Sequence, residues 1–153
     1  MSNDIGFPMG SLAALALRIV ADAPDAILYA DRNGVIQFWN GGCERMFGFD
    51  SEEAIGRSLD IIIPASLRER QNRGHAEVMR TGHTKYAADD LLCVPALRKD
   101  DSRISVEFSI IPLKDQTGTM IGLAAILRDV TQRFEELKSL RKKAASVAGP
   151  AAG

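Results

Sequence analysis

Cysteine is scarce in this chain: among 153 residues only Cys43 and Cys93 occur, without Cys-x-x-Cys spacing. That argues against a disulfide framework and for a reducing, cytoplasmic setting. Catalytic signatures are missing as well. The chain has no Ser-His-Asp set, no glycine-rich phosphate loop and no HExxH, so an enzyme is not expected. No charge dominates either, since 19 Lys and Arg against 20 Asp and Glu leave a net charge of −1. Electrostatic binding to nucleic acid normally needs a basic surplus, so no nucleic-acid partner is expected. Long hydrophobic runs are absent too. The apolar stretch of residues 12–20 is interrupted by Arg18 and is too short to span a bilayer. Met1-Ser2-Asn3-Asp4 lacks the basic region of a signal peptide. The expectation is a soluble protein that does not enter a membrane.

What is present suits one domain with short extensions, because 46% hydrophobic content over this length allows a real core. Ser11 can cap a helix over residues 11–21, whose Leu12, Leu15 and Ile19 recur at helical spacing and which ends before Ala23-Pro24. Two strands follow, joined at Asn33-Gly34, a pair able to supply positive φ angles in a tight turn. Asn40 is placed to cap a short helix stopped by Gly48, and Asp50-Ser51-Glu52-Glu53 reads as a capping box ahead of another that ends at Gly56. Pro64 opens a longer helix over residues 65–80, closed by Thr81-Gly82. A third strand over residues 90–99 contains Pro95, which cannot donate to a ladder and so belongs at a sheet edge. Residues 103–112 alternate cleanly, with Ile104, Val106, Phe108 and Ile110 on one face and Arg103, Ser105, Glu107 and Ser109 on the other. A fifth strand over residues 120–128 leads to a final helix over residues 132–145, with Asp129 or Thr131 as its cap and a small-residue tail after it. No internal repeat occurs.

The order of these motifs carries the identification. Ala26-Ile27-Leu28-Tyr29-Ala30-Asp31 and Val35-Ile36-Gln37-Phe38-Trp39-Asn40 open the series. Glu44-Arg45-Met46-Phe47-Gly48-Phe49 and Glu53-Ala54-Ile55-Gly56-Arg57 follow, and Asp129-Val130-Thr131 closes it. The set resembles the PAS family of sensory domains. The resemblance implies an α+β fold: a five-stranded antiparallel sheet covered on one face by short helices, with N- and C-terminal helical extensions. It divides the chain into an N-terminal extension (1–23), the PAS domain (24–131), a C-terminal signalling helix (132–146) and a disordered tail (147–153). In that family Asp-Ile/Val-Thr couples the sensing sheet to the output helix, and an acidic residue at the position of Glu44 often pairs across the fold, here with Arg98 or Lys99.

The resemblance also directs attention to residues 65–80. Leu67, Gln71, His75 and Val78 share one helical stripe. PAS sensors similar to the oxygen-sensing kinases and phosphodiesterases supply a heme-ligating histidine from this helix or the loop after it. His75 is the first candidate for the metal and His83 the second. The phosphodiesterase type places its histidine one turn earlier, where this chain has Gln71. The alternative reading of His75 is a core histidine bonded to backbone. Cys93, if its face turns inward, would offer a thiolate, and otherwise is a small apolar residue. Phe108 and Leu127 complete the candidate cofactor-binding set. The motif that places the reactive cysteine of a light-sensing LOV domain is absent around Leu59-Asp60-Ile61-Ile62-Ile63, which disfavours flavin-adduct chemistry. Trp39 reads as a core-edge residue or as a neighbour of flavin.

The expected function is sensory: a small-molecule ligand or a cofactor such as heme between sheet and helix, with occupancy relayed through the terminal helices. Val130, Phe134, Leu137 and Leu140 form a short heptad-like stripe that, with the N-terminal helix, suits a homodimer. The start at Met1 and the soft tail suit a free-standing chain, and no kinase, cyclase or DNA-binding segment follows. Output is therefore expected through dimer rearrangement or a separate kinase or regulator. The rivals are a cofactor-free interaction module and a heme-dependent enzyme.

Overall fold

The computed structural model describes residues 9–84 and 92–148. Helix α1 (Met9–Asp22) leads into strands β1 (Ala26–Asp31) and β2 (Ile36–Trp39), then short helices α2 (Gly41–Phe47) and α3 (Ser51–Ala54). Two 3-10 turns (Leu59–Ile62 and Ala65–Leu67) precede α4 (Arg68–Thr81). Strands β3 (Leu92–Leu97), β4 (Arg103–Lys114) and β5 (Met120–Asp129) finish the sheet, and α5 (Thr131–Ala148) leaves it. The strands run in the order β2-β1-β5-β4-β3, every pair antiparallel. Pro95 lies on β3, at the sheet edge, where its missing N–H costs no ladder bond.

The expected two-residue periodicity sets the faces. Ala26 and Leu28 of β1, Leu127 of β5, Ile104 and Val106 of β4 and Ala96 of β3 bury together against Phe47, Phe49 and Ile62. Phe108 packs on that cluster. Ile110 packs on a second cluster formed by Val78 and Met79 of α4 with Met120 and Leu123 of β5. Register places Ile27, Ile126 and Ser109 side by side, then Tyr29, Ala124 and Ile111, on the opposite face.

The caps follow the sequence closely. Asp50 and Glu53 form the reciprocal capping box of α3, and Gly48 and Gly82 end α2 and α4 in the left-handed region at φ 84° and 74°. Asn40 caps α2 by accepting from Cys43 N at 2.9 Å, and its carboxamide does more. Oδ1 also accepts from Ile27 N at 2.9 Å, while Nδ2 donates to Val20 O at 2.9 Å and Asp25 O at 3.0 Å. Gly42, the second residue of α2, lets that helix lie on the start of β1, since a Cβ there would sit 2.2 Å from Asp25 O.

Several boundaries differ from expectation for local reasons. In the β1–β2 turn only Gly34 takes a positive φ, 77°. The loop is longer than a two-residue turn, because the Asp31 carboxylate accepts from Asn33 N and Val35 N and folds it back. The long helix is preceded by a 3-10 turn at Ala65–Leu67 and becomes α-helical only at Arg68. Strand β3 stops at Leu97 because Arg98 N donates to Ser102 O and Asp101 takes φ 66°. Its expected first residues, Asp90 and Leu91, lie outside the described residues. Helix α5 continues to Ala148, two residues into the expected tail, while 149–153 lie outside the described residues. Glu44 pairs with neither Arg98 nor Lys99. Its carboxylate accepts from Ser51 N at 3.0 Å, and Lys99 pairs with Glu53 instead.

Two stability outcomes follow. Asn40→Ala strands four backbone groups in a residue only 2% exposed, so denaturant unfolding should report a loss of about 2–4 kcal/mol. Asn40→Asp keeps the two accepted bonds but turns a buried carboxylate oxygen on the carbonyls of Val20 and Asp25, and should lose at least as much as Asn40→Ala. Gly74→Ala, inside α4 where a Cβ meets nothing within 4 Å, should raise stability by roughly 0.5–1 kcal/mol.

Candidate functional site

Between α4 and the β3–β4 side of the sheet lies a cavity of about 500 Å³. The inward stripe of α4 forms one wall through Leu67, Gln71, His75 and Val78. The sheet forms the other, with Phe108 and Ile110 of β4, Leu123 of β5, and Leu92 and Val94 of the edge strand β3. Gly74 has no side chain to intrude. Among the described lining residues the charged ones, Arg70 and Glu77, are both exposed, and Glu77 pairs with Arg80 at 2.6 Å.

His75 is 7% exposed, and its Nε2 lies 2.9 Å from Asp31 O and 3.2 Å from Arg32 O. Both partners are carbonyls and can only accept, so Nε2 carries the proton and donates. His75 thereby ties α4 to the β1–β2 turn, 44 residues away in sequence. Its other nitrogen, Nδ1, is buried without a partner among the described residues. The Asp31 carboxyl, in the same turn, titrates below its ordinary value. Burial opposes that shift, but donation from Val35 N, Asn33 N and Gln37, with the nearby imidazole, outweighs it.

This geometry tests heme. An axial histidine offers a lone pair, and Nε2 of His75 has none to offer while it donates to two carbonyls. Nδ1 keeps the ring's other lone pair but is fully buried, so His75 as placed presents neither nitrogen to an iron, and its bonds are those of the core-histidine alternative. His83 lies on the same cavity but is exposed, just past the Gly82 helix stop. Cys93 reaches the cavity's edge, yet it pairs with Glu107 while Leu92 and Val94 pair with Phe108 and Val106. Alternation therefore sends its thiol to the opposite face of the sheet, away from any bound group. Leu127 is also displaced from the expected set. It faces inward but is covered by the main core, 5% exposed, and does not line the cavity.

The other candidates have structural duties. Trp39 is 4% exposed, donates from Nε1 to Phe49 O at 2.9 Å and stacks near Phe47 at 5.4 Å. Cys43 is buried in the core, donates from Sγ to Ile27 O at 3.3 Å, and burial pushes its thiol up to about 12. Ile110 was visible in the β4 alternation, and Gly74 in the helical spacing from Leu67, but neither carries a chemical signal of its own.

At the sheet's exit, Thr131 Oγ1 accepts from Ser105 N at 2.9 Å, and Val130 N donates to Ser105 O at 2.9 Å. Asp129 accepts from Thr131 N at 2.9 Å and so provides the first cap of α5. Thr131 thus binds β4 rather than its own helix.

Comparison with known proteins agrees with this architecture. A family model described as the PAS fold matches residues 20–135. The sensor protein FixL of Bradyrhizobium diazoefficiens is 28% identical over 127 residues, covering 79% of this chain and 25% of that protein. An uncharacterized protein of Azorhizobium caulinodans is 30% identical over 137 residues, 88% of this chain and 18% of that protein. The chain therefore spans a quarter or less of these curated relatives. The solved PAS domain of a Colwellia psychrerythraea protein superposes with a TM-score of 0.69 at 22% identity, over 79% of this chain and 98% of that one, a likeness of fold. The motif order, the sheet and the family match agree: the chain belongs to the PAS family of sensory domains, homologous to signal-transduction sensors.

Proposed function

We propose that this PAS domain binds a small molecule in the cavity between α4 and the sheet and passes occupancy to its terminal helices. The observation that carries the reading is the cavity itself, apolar in its depth and bounded by a histidine that fastens α4 to the β1–β2 turn. A ligand that prefers one placement of α4 against the sheet biases two conformations of the domain, which is how binding becomes signal. The FixL relative supports a signalling context, and a separate kinase or regulator is the proposed recipient.

Both terminal helices carry unpartnered apolar side chains. Leu15, Leu17 and Ile19 of α1 and Phe134, Leu137 and Leu140 of α5 are 41–62% exposed. These stripes support a homodimer built on the two helices. Among the described residues no helix is long and apolar enough to cross a membrane, so a membrane is not the proposed cover. The double variant Leu15→Glu, Ile19→Glu should shift sedimentation toward the monomer while circular dichroism keeps the sheet signal. An unchanged mass distribution would remove α1 from the interface.

Absorption spectra with and without hemin separate a colourless ligand from heme. The expected result is no hemin-dependent Soret band that His75→Ala removes. A band that survives His75→Ala and is lost in His83→Ala would place heme on the rim histidine, and one lost only in His75→Ala would place it on His75, whose Nδ1 would then have to be uncovered.

A further inference from the structure

The cavity opens along one flank of α4. Beside the inward stripe of Leu67, Gln71 and Val78, a second row follows at i, i+4 and i+7: Arg70, Gly74 and Glu77. All three line the cavity and all three are exposed, so they mark its mouth. The other exposed lining residues are His83, just past α4, and Cys93, Val94 and Pro95 of the edge strand β3. Gly74 leaves a gap in the middle of the helix flank, since a Cβ there would meet nothing within 4 Å.

The charges at this mouth are not balanced. Glu77 is taken by Arg80 at 2.6 Å, and the nearby Arg68 donates from Nε to Ile63 O at 3.0 Å. Arg70 has no ion pair or hydrogen bond among the described residues. A planar guanidinium with its donors unused therefore stands where the cavity meets water, the geometry that suits a carboxylate. Behind it the lining is Leu67, Val78, Phe108, Ile110 and Leu123. An ion buried among those side chains would lose its hydration without a counter-ion, whereas one held at the mouth would not.

We infer that the cavity takes an amphipathic organic anion, an apolar body inside it and a carboxylate received by Arg70 at the mouth. This rests on the small-molecule reading above and names the ligand class. Apolar burial supplies most of the affinity, and Arg70 chooses among head groups. A cationic head meets a like charge there, and a neutral one gains only a neutral hydrogen bond.

The test uses three probes with one aromatic body: 2-naphthylacetate, 2-(2-naphthyl)ethanol and 2-(2-naphthyl)ethylammonium. Each is titrated into the full chain at neutral pH and followed by amide shifts of Val78, Phe108 and Ile110 in NMR spectra. The expected result is roughly threefold tighter binding of the acetate than of the alcohol, the size of an exposed ion pair, with the ammonium weakest. Added salt should narrow that spread. Arg70→Glu, a change at an exposed position, should reverse the order of the two charged probes and leave the alcohol's affinity in place. Equal affinities of the acetate and the ammonium, or a preference for the ammonium, would overturn the anion and leave the small-molecule reading intact. An acetate preference that survives Arg70→Glu would overturn Arg70 as its receiver. Failure of all three probes to shift the cavity amides at millimolar concentration would overturn the small-molecule reading and the inference with it.

Discussion

The carboxamide of Asn40 ties three parts of the fold together at one point. Its oxygen takes the N–H of Ile27 in β1 and of Cys43 in α2, and its nitrogen gives hydrogens to the carbonyls of Val20 and Asp25. Only a side chain with an acceptor and a two-hydrogen donor on one short stem can do this. Aspartate, an equally good helix cap, has no donor, and serine has only one. At 2% exposure water cannot replace any of the four bonds. The end of α1 and the entry to the sheet are therefore fixed by the residue that starts α2. That makes the N-terminal helix part of the domain at its C-terminal end while its exposed stripe stays unpartnered.

What the sequence made legible were features whose cause is local. Asn40, Asp50 and Gly82 act within a few residues of themselves, and the helices they bound lie close to where those residues place them. The alternation of β4 is likewise written in consecutive positions, and its inward face is as expected. The errors cluster where the cause is distant. Leu127 has the right parity to face inward, but whether it meets the cavity or the core depends on which strand lies beside β5. Cys93 could be assigned a face only after β3 was registered on β4, with Glu107 as its partner. His75 was placed on the correct stripe. The carbonyls that claim its Nε2 belong to a turn 43 and 44 residues away, and no pattern within the helix indicates them.

Those two carbonyls change what His75 can mean. An imidazole on the inner stripe of a helix is chemically ambiguous, since the same ring serves as metal ligand, acid, base or structural tie. The ambiguity is removed by the partners of one nitrogen, which decide the tautomer and hence the role left to the other. With Nε2 donating, the ring presents a single buried lone pair to its surroundings.

The route from cavity to output is short because β4 serves both. Phe108 and Ile110 line the cavity, and three residues before Phe108 the backbone of Ser105 is bonded twice to the start of the exit helix. Thr131 accepts the Ser105 N–H and Val130 donates to the Ser105 carbonyl, so the first turn of α5 behaves as an extension of the β4 ladder. Asp129 holds the Thr131 hydroxyl at 2.5 Å and leaves it oriented for that contact. On the proposed reading, a displacement of β4 relative to α4 would be carried through the two bonds to Ser105 into the first turn of α5, whose exposed apolar stripe would then move with it.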